Sequence, residues 1–163
     1  MAELFLLLQL LVLILVANGA PILAYKLLPN VGACPVDLGT RFFDGRPLLG
    51  ESKTIRGLIS SFVCTVILAP ILGLNISIGI VISAGAMVGD LLSSFAKRRL
   101  GLQASDRALV LDQVPESLIP ILFVYEYVDL SIIDTIILVS AFVVLELVLS
   151  PILFRLNIRR RPY

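Results

Sequence analysis

The stretch Ile76–Arg99, ISIGIVISAGAMVGDLLSSFAKRR, decides the fold. Asp90 is its only charge until Lys97-Arg98-Arg99 close it. A spanning helix needs roughly 20 apolar residues, and the run Ile76–Ala96 meets that length. Cations collect on the cytoplasmic side of a membrane, so Lys97-Arg98-Arg99 reads as the point where a span leaves the bilayer.

Four further apolar runs flank it: Leu4–Leu28, Gly57–Leu74, Pro115–Val128 and Ser131–Phe154. The first and last have full spanning length, and the second is near the lower limit. The fourth is short, opens on Pro115 at a favourable first-turn position and carries Pro120 inside. Its helix is expected to reach back into the polar segment before it. Composition agrees with lipid as the solvent. The chain is 58% hydrophobic and 15% charged, with a mean hydropathy of +1.02, whereas soluble domains are about 45–50% apolar and about 25% charged. No Lys or Arg precedes the first run, so it lacks the positive flank of a signal peptide and reads as a retained span.

The 13 Lys and Arg residues fall into three regions. Lys26, Arg41, Arg46, Lys53 and Arg56 follow the first run or begin the second. Lys97, Arg98, Arg99 and Arg107 follow the third, and Arg155 with Arg159–Arg161 follows the fifth. Only five spans put all three regions on one side. The expected architecture is therefore all-α: a polytopic membrane protein with five transmembrane helices, N-terminus outside and C-terminus cytoplasmic. It forms one domain, 1–163, with cytoplasmic loops 29–56 and 97–114, in the cell membrane with its polar site facing the cytoplasm. The expected surroundings are the bilayer and not nucleic acid, and the number of copies, one or two, is left open by the sequence.

There is no histidine, and Cys34 and Cys64 form no CxxC pair. That excludes the usual zinc sites and any mechanism that needs an imidazole base. Chemistry must come from carboxylates, cations and hydroxyls. The loop 29–56 is rich in Gly and Pro, and its Phe42, Phe43, Leu48 and Leu49 point to an ordered loop lying near the membrane. It ends in Asp44-Gly-Arg-Pro-Leu-Leu-Gly-Glu-Ser-Lys-Thr-Ile-Arg-Gly57. Glycines, Lys53, the hydroxyls of Ser52 and Thr54, and Arg46 and Arg56 stand here just before a helix N-terminus, where unpaired N–H groups favour a phosphate. Gly50-Glu-Ser-Lys-Thr54 resembles half of a Walker A loop but lacks its spacing and its βαβ setting. The competing reading is a basic loop lying against anionic lipid headgroups.

At 3.6 residues per turn, Asp90, Ser94 and Lys97 share one face of the third helix, with Ser93 beside it. Gly85 and Gly89 allow a neighbouring element to come close. Asp90 is either an intramembrane functional carboxylate or a partner for Lys97 or Arg98. Asp112 and Glu116 are one helical turn apart. Asp90 and Asp112 both belong to helix ends on the cytoplasmic side, and two carboxylates converging with cations there suit Mg²⁺ with a nucleotide. The alternative has Asp106 capping the fourth helix and Asp112 paired with an arginine. Asn18-Gly-Ala-Pro21 is expected to interrupt the first span with a kink, with Asn18 bonded either to substrate or to another helix. Glu146, deep in the fifth run, reads as a structural carboxyl at least as readily as a catalytic one. Arg159–Arg161 reads as a topology and lipid-surface anchor.

Taken in order, four segments resemble the CDP-archaeol synthase family of membrane cytidylyltransferases. They are Asn18-Gly-Ala-Pro21, Asp44-Gly-Arg-Pro-Leu-Leu-Gly-x-Ser-Lys-Thr-x-Arg-Gly57, Gly89-Asp-Leu-Leu-x-Ser-Phe-x-Lys-Arg98 and Asp112-Gln113. The second is the most specific. The resemblance implies a five-span enzyme that uses CTP and Mg²⁺ to activate an unsaturated archaeal ether lipid phosphate, releasing pyrophosphate. It implies Asp90 and Asp112 as the Mg²⁺ ligands and Lys53, Arg56, Lys97 and Arg98 as the cations facing the triphosphate. Ser52, Thr54 and Ser94 would donate hydrogen bonds, and Asn18, Asp44, Arg46 and Gln113 would frame the substrates. The lipid tails would lie in an apolar groove open to the bilayer. One position departs from the pattern: where archaeal members tend to carry a further Asp after the Asp-Gln pair, this chain has Pro115 and then Glu116. Another lipid or polyprenyl phosphate is therefore an alternative substrate. Asp44-Gly-Arg46 also resembles part of the CDP-alcohol phosphotransferase signature, but the further acids of that signature are missing. A small headgroup-binding transporter is the rival from outside enzymes, although such proteins place their sites near the midplane and often show repeats.

Overall fold

Five helices carry the fold, each started by a recognisable signal. They are α1 (Leu4–Leu27), α2 (Ile55–Ile71), α3 (Ile76–Arg99), α4 (Gln113–Val124) and α5 (Ile132–Arg155). The structure is a computed structural model, and it describes residues 3–103, 108 and 111–158. Asp106, Arg107 and the Arg159–Arg161 tail lie outside the described residues. Thr54 caps α2 by accepting from the Gly57 N–H at 3.3 Å, and Asn75 caps α3 through Ser77 N–H at 2.9 Å. Ser131 and Asp134 close a reciprocal capping box on α5. Each cap satisfies backbone donors that a helix start otherwise leaves without a partner.

Three helices, α1, α3 and α5, are long and apolar enough to cross a membrane. α1 touches all four other helices, α3 packs most extensively, against α4, α2 and α1, and α5 touches only α4 and α1 among the described helices. The core runs through Leu10, Leu13, Ile14, Ala17, Ile82, Ala86, Ile121, Val124, Leu138 and Phe142. Outward positions such as Leu4, Phe5, Ile59, Ile67, Ile132, Ile136 and Val144 are apolar and exposed, which suits hydrocarbon and not water.

Two expectations change. α1 is not interrupted at Asn18–Pro21: it runs unbroken through Pro21. Proline removes one backbone donor but leaves the other helix bonds in place, so the helix continues past it. A methyl group on Gly57 would sit 3.4 Å from Pro21 Cβ, so α2 begins against the proline. α4 ends at Val124 instead of reaching Val128, and its 12 residues extend only about 18 Å.

The start of α4 explains how so short a helix fits. A methyl group on Gly89 would lie 2.2 Å from the carbonyl oxygen of Pro115, and one on Gly85 would lie 2.5 Å from Pro120 Cα. α3 and α4 thus run antiparallel in a contact that only glycine permits. The first turn of α4 lies level with Gly89 and Asp90, nine residues short of the α3 end at Arg99, or about 14 Å along the helix axis. The polar end of α4 is sunk beside the middle of the charged half of α3.

Candidate active site

The loop between α1 and α2 is built to carry Lys53 onto α3. Residues 32–36 run antiparallel to 53–56, held by Val36 N–H to Lys53 O at 2.8 Å, Ile55 N–H to Cys34 O at 3.0 Å and Arg56 N–H to Gly32 O at 3.0 Å. Asp37 locks the other half. Its carboxylate accepts from the N–H groups of Gly39 at 3.0 Å, Leu49 at 2.8 Å and Gly50 at 3.0 Å. Burial works against this charge, but the three backbone donors outweigh it and hold the Asp37 pKa below its ordinary value. Gly50 has φ +96°, a conformation that favours glycine, and a side chain there would crowd the Arg98 guanidinium at 3.0 Å.

The tip of the loop docks on the end of α3. Phe42 packs edge-on to Phe95 at 5.3 Å, and the Arg99 guanidinium lies over both rings at 4.7 and 5.0 Å. Arg99 also pairs with Asp44, and Arg46 donates to the carbonyls of Arg98 and Arg99. Asp44 and Arg46 therefore fasten the loop to the last turn of α3. Cations over the terminal carbonyls also complement the helix dipole. Arg56 does the same for α1: it donates to the carbonyls of Leu28, Pro29 at 2.9 Å and Val31 at 3.4 Å, with its guanidinium 5.0 Å from the Tyr25 ring centre.

The charged centre lies between these anchors. Lys53 pairs with Asp90, and Lys97 Nζ pairs with Asp112 Oδ1 at 2.8 Å. Asp90 thus meets the loop lysine, and Asp112 meets the lysine near the end of α3. Burial works against the charge on Lys53, but the carboxyl groups of Asp90, Glu116 and Asp112 outweigh it, and its pKa stands above the ordinary lysine value. Those three carboxyl groups and two ammonium groups form one cluster, with Glu116 beside Asp90 and also near Glu146. Ser94, Lys97, Arg98 and Gln113 are buried around it. Ser93 donates to the Asp90 carbonyl at 3.0 Å.

Among the positions expected to form the site, Lys53, Asp90, Lys97 and Asp112 do come together. Thr54 is a helix cap, Ser52 is exposed on the loop, and Arg56, Asp44 and Arg46 fasten the loop to its neighbours. Asn18 donates to Ile14 O at 2.9 Å and to Glu116 O at 3.4 Å, tying α1 to the sunken first turn of α4. Among the described residues no group of three or more Asp, Glu, Cys or His is arranged to hold a metal ion. Two residues of the site were not marked by sequence reasoning: Asp37, whose Asp-x-Gly pattern is a turn signal, and Arg99, hidden within a basic run.

Fold and site together define an all-helical membrane protein with a charged centre between its helices. The CarS-like family model of CDP-archaeol synthases matches residues 3–163. The CDP-archaeol synthase of Sulfolobus acidocaldarius is 36% identical over 156 residues, covering 91% of each chain. That of Sulfurisphaera tokodaii is 36% identical over 156 residues, covering 91% of this chain and 90% of the relative. A solved structure described as an intramembrane enzyme for archaeal membrane lipids biosynthesis matches with TM-score 0.78 and 30% identity, over 87% of this chain and 90% of that one. The chain belongs to the CDP-archaeol synthase family. The departure at Pro115 does not remove it: Pro115 is the residue that meets Gly89, and Glu116 brings a carboxyl group to the cluster.

Proposed function

We propose that this protein is a CTP-dependent lipid cytidylyltransferase that moves CMP from CTP to an archaeal ether-lipid phosphate and releases pyrophosphate. The observation that carries the reading is the pair of contacts Lys53–Asp90 and Lys97–Asp112, which gathers loop, α3 and α4 around one charged centre. An oxygen of the lipid phosphate attacks the α-phosphorus of CTP, and the bond from that phosphorus to the bridging oxygen of the leaving pyrophosphate breaks. A phosphate monoester with a second pKa of about 6 is already anionic near neutrality, so no side chain has to remove a proton. The absence of histidine fits that chemistry.

What remains for the protein is positioning and charge neutralisation. Lys53, Lys97 and Arg98 face the triphosphate, with Ser94 as a hydroxyl donor and Gln113 at the rim. Arg56, Asp44, Arg46 and Thr54 hold the framework that keeps Lys53 in place. Mg²⁺ suits the donor set: it is commonly held by one or two carboxylates plus substrate phosphates, not by a full protein cage. Asp90 and Asp112 would hold it, and it would neutralise charge on the phosphates. The lysines now paired with these carboxylates would turn to phosphate oxygens, so that each charge exchanges one partner for another.

All five helices are embedded in this reading, with the N-terminus outside and the C-terminus and site on the cytoplasmic side of the cell membrane. Cation placement in the sequence supports the orientation. The close packing of α4 on α3 through Gly85 and Gly89 supports counting α4 as an embedded helix despite its 12 residues. Incubation of purified protein with radiolabelled CTP, Mg²⁺ and an ether-lipid phosphate tests the activity. Label is expected in the lipid extract, and a folded, CTP-binding protein that leaves all label in water-soluble products would defeat the proposal.

A further inference from the structure

A cavity of about 330 Å³ opens between α2 and α3, lined by Leu58, Ile59, Phe62, Ser83, Ala84 and Met87. Its size falls at the lower end of the roughly 300–1,000 Å³ of small-ligand clefts. The lining presents no polar group: Ser83 turns its hydroxyl back onto the Ile80 carbonyl at 2.9 Å. Ile59 and Phe62 are exposed on the outer lip while Ser83 and Met87 are buried at the floor. The groove therefore opens sideways, along the apolar flank of the helix pair.

Its origin is a wedge. At one end α2 and α3 are clamped, since a methyl group on Gly79 would lie 2.9 Å from the Thr65 carbonyl oxygen and 2.9 Å from Ala69 Cβ. At the other end the same two segments are joined by Lys53 and Asp90. The small residues Ser83 and Ala84 leave the space between. Along α3 the order is clamp at Gly79, groove at Ser83–Met87, charge at Asp90. Along α2 it is Ala69 and Thr65, then Phe62, Ile59 and Leu58, then Lys53 just ahead of the helix. Met87 is three residues before Asp90, about 4.5 Å along the axis. A phosphate held at the Lys53–Asp90 end thus has the groove mouth within one helical turn.

We infer that this groove receives a hydrocarbon chain of the lipid phosphate substrate, and so sets which chains the enzyme accepts. The inference rests on the cytidylyltransferase reading and deepens it. Continuity between the charged centre and the groove, on one helix pair, singles out the substrate chain over ordinary bilayer lipid or a second copy of the protein. Met87, flexible and polarisable, gives the floor a surface that adapts to a branched chain.

A photoreactive long-chain lipid phosphate, mixed with wild-type protein in micelles, should label the peptides that carry Phe62 or Met87. Unlabelled lipid phosphate should compete, and the same diether without its phosphate should not. Ala84→Phe, which fills the groove from its exposed side, should raise KM for the long-chain lipid phosphate by roughly tenfold or more, the scale on which apolar pockets discriminate. KM for CTP should stay where it was. Equal displacement of the label by the phosphate-free lipid would assign the groove to bilayer lipid and overturn the inference. An Ala84→Phe enzyme with its long-chain KM intact would do the same. Phosphate-dependent labelling by a wild-type protein that transfers no CMP to any lipid would instead sink the enzymatic reading and leave the groove assignment standing.

Discussion

Lys53 and Asp90 stand 37 positions apart in sequence and form an ion pair that joins the long loop to the third helix. Both side chains are about four-fifths buried, at 19% and 18% exposed, so neither is a bystander on a solvated face. A largely buried pair needs both members, because the survivor of a single truncation keeps a charge with little water around it. The reversed pair, Lys53→Asp with Asp90→Lys, should restore the contact and the fold but not CMP transfer. Activity in the reversed pair would show that the contact serves structure alone.

Asp90→Asn and Asp112→Asn remove charge with little change of shape. Each should lower CMP transfer by roughly 10²–10³-fold, the loss typical of one preorganised electrostatic group. Titrating Mg²⁺ against turnover in each variant checks the proposed metal role, since the demand for Mg²⁺ should rise. Turnover and Mg²⁺ dependence equal to wild type would remove that residue from the site.

Gly89→Ala should be among the most damaging small substitutions in the chain. The added methyl meets the Pro115 carbonyl oxygen at 2.2 Å, and overpacking of a close contact costs about 1–3 kcal/mol. Thermal unfolding in detergent should show a lower Tm, and activity should fall with it because α4 carries Asp112 on its threshold.

Arg56→Ala separates fastening from catalysis. The guanidinium holds the carbonyls at the end of α1, and loss of hydrogen bonds made by a charged group costs about 1.5–3 kcal/mol each. Tm should drop, while turnover per folded molecule should fall far less than in Lys53→Ala. Equal losses of turnover in the two variants would give Arg56 a direct part in binding phosphate.

Asp37 predicts an acid-sensitive loop. Its pKa lies below the ordinary 3.8 in the folded protein, so its contribution is present above that ordinary value and is lost as pH falls through the lower folded one. Limited proteolysis between residues 37 and 50 should therefore stay slow near neutrality and accelerate only in strong acid. Asp37→Asn should be cleaved readily at neutral pH as well, and resistance equal to wild type would count against the latch.

Much of the helical framework was legible because hydrophobic length is a one-dimensional property. The run Ile76–Ala96 and its flanking cations mark α3 without reference to any neighbour. The shared face of Asp90, Ser94 and Lys97 follows from helical period alone, and Gly85 and Gly89 announced the close approach that Pro115 and Pro120 make. The pairings were not legible. Nothing local to Lys53 says that Asp90 is its partner, and Arg56 shows only a charge, since the carbonyls it holds come from a separate turn of chain. Pro21 did not end α1, because a proline removes only one of the hydrogen bonds of a helix. The end of α4 at Val124 was missed because hydropathy does not distinguish apolar helix from the apolar turn that follows.

The shortness of α4 has a consequence for substrate traffic. Its polar first turn stands level with Asp90 and not with Arg99, so α4 sets the carboxyl groups of Asp112 and Glu116 well below the charged end of α3. A lipid phosphate can lay a chain in the α2–α3 groove, within the bilayer, while its headgroup meets that charged turn. The nucleotide, being water-soluble, makes the longer descent. The enzyme need never lift an insoluble substrate out of the membrane.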